Sequence, residues 1–206
     1  MENVHNVAAA ILKELGVMDA MKFEKLLYYA QAWKLAISNE PLFASEVQAW
    51  KYGPVIPEVY FHHAGTTKVG DWDNGDPEKI SPTSRRLVSM VCSEYGHLSS
   101  SQLSKRTHEE SPWLDARGDL PEDAPSKEPI TQEAMGRYYR RFGSLAGQDA
   151  VGMAYSGILT SEMDEGPDLK GVSAPASTAV YGYGQRGLTP DQLALVRASR
   201  RPRTRV

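Results

Sequence analysis

One cysteine, Cys92, stands in 206 residues, so no internal disulfide can staple this chain. Its place within a helical apolar pattern marks it as a small core hydrophobe rather than a nucleophile. No window approaches the roughly 18 uninterrupted apolar residues that a membrane span needs, and no basic segment, apolar run and cleavage site open the sequence. A cytoplasmic protein is therefore expected. The five histidines, His5, His62, His63, His97 and His108, are scattered over different segments and form no tight ligand pair with the lone cysteine, so no metal site is predicted. Missing too are a Gly-rich loop ending in Lys-Ser or Lys-Thr, a dinucleotide fingerprint and a Gly-x-Ser-x-Gly elbow. Phosphate and acyl chemistry lose their usual supports, and neither a cofactor nor a catalytic residue is expected.

What is present describes a globular chain: 41% of residues are apolar and 24% charged, enough for one ordinary domain with an appendage. The net charge of −3 hides an uneven distribution, because the last ten residues carry five arginines, Arg197, Arg200, Arg201, Arg203 and Arg205, and no acid. Such a tail suits nucleic-acid phosphates, an acidic protein surface or plain solvation, and composition does not choose among them.

Periodicity predicts a mainly α fold of about six helices with a short strand or hairpin near residues 46–52. Val4, Val7, Ala8, Ile11, Leu12 and Leu15 recur at helical spacing and stop at Gly16. A second helix begins after Asp19, read as a cap that accepts from first-turn amides, and runs to about Ile37. Phe23, Leu26, Leu27, Ala30 and Trp33 form its apolar stripe, with Lys22, Lys25 and Gln31 assigned to the wet face. Residues 46–52 alternate as a strand that Gly53 and Pro54 are expected to end, and Pro57 suits the first turn of the next helix. Residues 66–81 read as a surface loop pinned by Trp72. Leu87, Val88, Val91 and Tyr95 mark a helix ending at Gly96, Ser99 and Gln102 make a capping box, and Pro112 is read as ending that segment. After a connector at residues 118–130, Thr131 caps a helix through Phe142. The domain is expected to span residues 1–143. A flexible Gly-, Ser- and Pro-rich linker at 144–188 and a short basic helix and tail at 189–206, capped by Thr189 and Gln192, would make an irregular C-terminal extension.

The string Thr107-His108-Glu109-Glu110-Ser111-Pro112-Trp113 is the most enzyme-like, since a histidine beside carboxylates can serve acid–base work. A structural use is preferred, with His108 capping carbonyls and Trp113 anchoring the segment to the core.

The run Lys22-Phe23-Glu24-Lys25-Leu26-Leu27-Tyr28-Tyr29-Ala30-Gln31-Ala32-Trp33 is followed by Pro41-Leu42-Phe43 and then by Glu46-Val47-Gln48-Ala49-Trp50-Lys51-Tyr52-Gly53-Pro54-Val55-Ile56-Pro57. With Tyr95-Gly96-His97-Leu98-Ser99 and the 107–113 string, it resembles the Panacea-domain (SocA/GepA-like) antitoxin family over residues 1–143. Ser111 replaces the Gly that the family pattern sets before the Pro. The resemblance implies a mostly helical, non-enzymatic antitoxin, in some cases phage-associated. Its partner would be a toxin encoded by an adjacent gene and neutralised by direct contact, with delivery to the ClpXP protease as an associated role. Trp50, Lys51, Tyr52, Gly53, Pro54 and Tyr60 are the expected toxin-binding residues, because aromatics beside a rigid turn give large contact area at modest entropic cost. His108, Glu109 and Trp113 are candidates for a secondary contact, and the five tail arginines for an anionic partner. The alternative function is a nucleic-acid-binding or phage-associated regulator that uses the tail.

Overall fold

The computed structural model describes residues 1–145. The expected linker beyond residue 145, the Thr189 and Gln192 capping box and the five tail arginines lie outside the described residues.

The first apolar stripe folds as α1 (Val4–Leu15), with the Asn3 side chain accepting from the His5 amide and Gly16 closing the helix at φ 72°. A two-residue strand β1 (Met18–Asp19) leads into α2 (Ala20–Ser38). The hairpin β2 (Gln48–Trp50) and β3 (Gly53–Val55) precedes α3 (Pro57–His63), whose first turn holds Pro57 as expected. Strand β4 (Lys68–Val69) returns to pair antiparallel with β1, and a 3-10 turn forms at Pro77–Lys79. Then come α4 (Pro82–Tyr95), α5 (Ser100–His108) behind the predicted capping box, α6 (Ser111–Arg117) and α7 (Gln132–Leu145). The mainly α expectation holds, with seven α-helices among the described residues rather than six. The additional one is α6. Pro112 lies in its first turn, where a missing amide proton costs nothing, so it opens a helix instead of ending one.

Helix α2 is the axis of the fold. Every residue from Phe23 to Trp33 is buried, because α1, α4, α5, α7 and β3 surround it. The wet face assigned to Lys25 and Gln31 does not exist. Lys25 and Gln31 are enclosed together with Glu24, and only Lys22 reaches the rim, donating to the Gly96 carbonyl at 2.5 Å. A helix enclosed on all sides must satisfy each polar side chain internally. Gln31 does so with three bonds: its Oε1 accepts from the amides of Leu42 (2.8 Å) and Phe43 (3.1 Å), and its Nε2 donates to the Phe43 carbonyl (3.0 Å). Asp19 also departs from expectation. Its carboxylate takes the Ser100 hydroxyl at 2.5 Å and makes no cap bond, while the Ala20 amide goes to the Thr67 carbonyl.

The hairpin is tighter than predicted. Gly53 and Pro54 do not end the strand; they form its return partner, with Gln48 opposite Val55, Ala49 opposite Pro54 and Trp50 opposite Gly53, so the turn is Lys51-Tyr52. Pro54 faces a position where no ladder amide is needed, since the Ala49 amide turns outward to the Glu128 carbonyl at 2.8 Å. With Ile130 N donating to Val47 O at 2.7 Å, the 118–130 connector forms a third edge of this small sheet. Thr131 caps α7 through the Ala134 amide as expected. Trp72 does pin its loop, packing on Phe23 (5.3 Å) and His5 (5.7 Å). Cys92 is buried, and burial pushes its thiol up to about 12, in keeping with an inert core residue.

Replacing Gln31 by Leu removes three buried bonds and strands two amides, so we expect a loss of about 2–4 kcal/mol. Urea unfolding of Gln31→Leu beside the parent checks this; a loss below about 1 kcal/mol would show that the loop after α2 does not hang on this side chain.

Candidate interaction surface

The predicted contact residues divide between surface and core. Tyr52 is 60% exposed and Lys51 half-buried at the turn, with the lysine ammonium 5.4 Å from the Tyr52 ring centre. Trp50 and Tyr60 are half-buried and pack edge to face at 4.7 Å, and Tyr60 continues to Phe61 at 5.8 Å. Phe61, 72% exposed, is a residue that sequence reasoning missed. Its signal was its place directly after Tyr60, with Glu58, Phe61 and His62 turned to solvent while Val59 and His63 turn in.

Gly53 and Pro54 lie beneath this surface and are buried. Gly53 has φ +99°, and a Cβ there would stand 2.5 Å from Lys25 Cε and 2.8 Å from Thr107 Oγ1. The close approach lets Lys25 Nζ donate to the Pro54 carbonyl at 3.0 Å. Burial lowers the Lys25 ammonium to about 8, with the Glu24 carboxylate partly opposing that shift. Glu24 in turn accepts from the Ile56 amide (2.9 Å) and meets His63 Nε2 at 2.7 Å. Two adjacent residues of α2 thus fix β3, the hairpin partner of the strand that carries Trp50, and both ends of α3, which carries Tyr60 and Phe61.

The 107–113 string braces the hairpin from the other side. Trp113 is buried, as anticipated, and its indole donates to the Trp50 carbonyl at 2.9 Å. His108 stacks on Trp113 at 4.1 Å and 9° and faces Glu122 through Nδ1 at 3.4 Å. Burial holds the His108 pKa below the usual imidazole range despite Glu122. Glu109 is exposed at the end of α5, where its backbone rather than its side chain closes the helix. Arg117 covers the other face of this corner, with its guanidinium 4.7 Å from the Trp113 ring and hydrogen bonds to the carbonyls of Ala49, Pro121, Glu122 and Ala124. His108, Glu109 and Trp113 therefore do not converge on one reacting point.

Glu110 turns inward, away from His108. It is 5% exposed and accepts the hydroxyls of Tyr139 (2.6 Å), Tyr29 (3.1 Å) and Tyr28 (3.4 Å), with Arg106 Nε at 3.9 Å. Desolvation raises its pKa to about 7, against the lowering effect of the Tyr139 bond, Arg106 and the other two phenols. The same burial raises the Tyr28, Tyr29 and Tyr139 phenols far above their ordinary values, so they stay protonated and remain donors. A detectable signal existed here as well: two adjacent tyrosines on a helix enclosed all round require acceptors, and Glu110 supplies them.

Against this geometry a family comparison is specific. Residues 23–114 match the Panacea domain. The matching family is described as antitoxin SocA-like, Panacea domain. No curated protein and no solved structure matches the chain. The matched segment holds Glu24, Lys25 and Gln31 of α2, the whole hairpin, the exposed aromatics Tyr52 and Phe61, and Glu110, and it stops short of α7, which supplies Tyr139. This matched segment is similar to that antitoxin family, and its core is organised around anchoring the hairpin. Among the described residues no helix is long and apolar enough to cross a membrane.

The raised Glu110 pKa carries a sign. A carboxyl that titrates at about 7 when folded and in the ordinary range when unfolded gives stability that is complete below that lower pKa and lost as pH rises through 7. Between pH 5 and 8 the parent should therefore lose stability relative to Glu110→Gln, by an amount on the order of 3 kcal/mol at most. Thermal melts of both proteins across that range measure it; parallel curves would show that Glu110 titrates normally.

Proposed function

We propose that this chain is the antitoxin of a toxin–antitoxin pair and silences its toxin by direct protein contact through the surface formed by Trp50, Tyr52, Tyr60 and Phe61. The match of residues 23–114 to an antitoxin family carries the reading. The geometry supports the choice of surface, because these four side chains are large and reachable, Trp50, Tyr60 and Phe61 are in ring contact, and they stand on a hairpin and helix braced from beneath by Glu24, Lys25 and Trp113. Aromatic anchors on a pre-organised support lose little freedom on binding, which is how a small contact reaches useful affinity. Occlusion of the toxin requires no chemistry from the antitoxin, in keeping with His108 and Glu110 being taken up by structural contacts.

Co-expression with the product of the neighbouring reading frame tests the reading: growth should be rescued and the two proteins should copurify. Failure of both would overturn it. Tyr52→Ser and Phe61→Ser alter exposed rings and should leave the melting temperature within about 2 °C, yet together weaken the complex at least tenfold, or about 1.4 kcal/mol. Undiminished binding of this double variant, read by calorimetry, would move the contact elsewhere on the chain.

A further inference from the structure

The aromatic surface carries a charge pattern that narrows its partner. Along β2 and the residues leading into it, the partly or fully exposed side chains of residues 46, 48 and 50 succeed one another at the two-residue strand period. They are joined in a chain: Trp50 Nε1 donates to Gln48 Oε1 at 2.8 Å, and Gln48 Nε2 donates to Glu46 Oε1 at 2.6 Å. A second carboxylate, Glu58 of α3, reaches Ser45 beside Glu46, its Oε2 accepting the Ser45 hydroxyl at 2.6 Å. Glu46 and Glu58 are exposed; Glu58 Oε1 stands 3.7 Å from His5 Nε2, and among the described residues neither carboxylate pairs with a lysine or an arginine. Glu128, exposed on the connector whose carbonyl takes the Ala49 amide, adds a third carboxylate along this edge.

The chain of bonds leaves a specific remainder. The Trp50 N–H, the one donor of the indole, is already used, so what the ring offers a partner is its π-face, with Tyr60 standing at 65° beside it. Glu46 and Glu58 each accept one neutral donor and have lone pairs left for a partner. Ring faces attract cations through their quadrupole, and unneutralised carboxylates nearby add to that attraction while repelling acids. Guanidinium satisfies both demands at once, lying flat on an aromatic ring while its edge donates in pairs to carboxylates.

We infer that the segment received here is cationic and apolar: a basic stretch of the toxin that seats an arginine side chain on Trp50 and Tyr60 between Glu46 and Glu58, with an apolar neighbour against Phe61. This inference rests on the antitoxin reading for the identity of the partner, and its test is independent of the toxin.

The probe is a fluorescein-labelled nine-residue peptide of alternating Arg and Leu, titrated with the full chain and read by fluorescence anisotropy at low and at high salt. Two peptides with Gln or Glu in place of Arg accompany it. The Arg peptide should bind at least tenfold more tightly than either, and added salt should weaken it. Glu46→Gln with Glu58→Gln, a pair of exposed positions, should weaken it about tenfold with the melting curve unchanged, and Trp50→Leu should weaken binding by a similar factor. Equal binding of the Gln peptide, preference for the Glu peptide, or full Arg-peptide affinity in the Glu46/Glu58 variant would overturn the inference. Should Trp50→Leu fail to fold, the Glu46/Glu58 pair carries the test alone. Growth rescue by the toxin assay without Arg preference defeats the cationic partner only; Arg-selective binding at this surface without rescue defeats the antitoxin role only.

Discussion

The rest of the structure depends on a stretch of helix that has no outside. Because α2 is enclosed all round from Phe23 to Trp33, each polar side chain in that stretch had to find a partner within the protein, and the partners belong to different parts of the chain. Glu24 takes the start and the end of α3, Lys25 takes β3, Gln31 takes the loop that leaves α2, Trp33 donates to Tyr95 of α4, and Tyr28 and Tyr29 reach Glu110. The free-energy logic is asymmetric. Each bond adds little over its equivalent in water, whereas an orphaned buried group costs several times more. Such contacts do less to raise stability than to exclude alternative packings, and here they set where the hairpin and its aromatic rings stand.

Glu110 shows the same logic with a charge. A carboxylate removed from water is expensive, and three phenols with a nearby guanidinium compensate it only in part, which is why its proton is held until near neutrality. The arrangement joins α2, α5, α6 and α7 at one point. His108, two residues earlier and facing Trp113, belongs to another environment altogether, so an apparent His-Glu-Glu constellation separates into three side chains with three unrelated surroundings.

Much of this was legible in the residues. Caps and stops at Gly16, Ser99 and Thr131, the Pro57 helix start, the Trp72 anchor and the buried Cys92 all followed from local chemistry, and local chemistry governs them in the fold. The misreadings share a cause: they concern residues whose surroundings are set by distant chain. Lys25 and Gln31 have the composition of a solvated face, and only the arrival of β3 and of the loop at Leu42 and Phe43 encloses them. Pro54 and Pro112 look like terminators, yet the first sits opposite an outward-turned amide and the second in a first turn, so neither breaks anything. For the candidate surface, residue type alone singles out Trp50, Tyr52 and Tyr60 together with Gly53 and Pro54, which the fold buries, while the exposure of Phe61 and the flanking carboxylates needed the register of β2 against β3 and the azimuth of α3.

The Tyr139 hydroxyl makes the shortest of the three bonds to Glu110, and it belongs to α7, beyond the residues that match the Panacea domain. The portable unit of this protein is accordingly larger than its recognisable signature. A graft cut at Leu114 would carry the hairpin, its anchors and the aromatic rings to a new host, but would arrive with a half-solvated acid and with the flank of α2 that α7 covers laid bare. Any exchange of such domains between chains, natural or engineered, has to bring along a helix that the signature does not register.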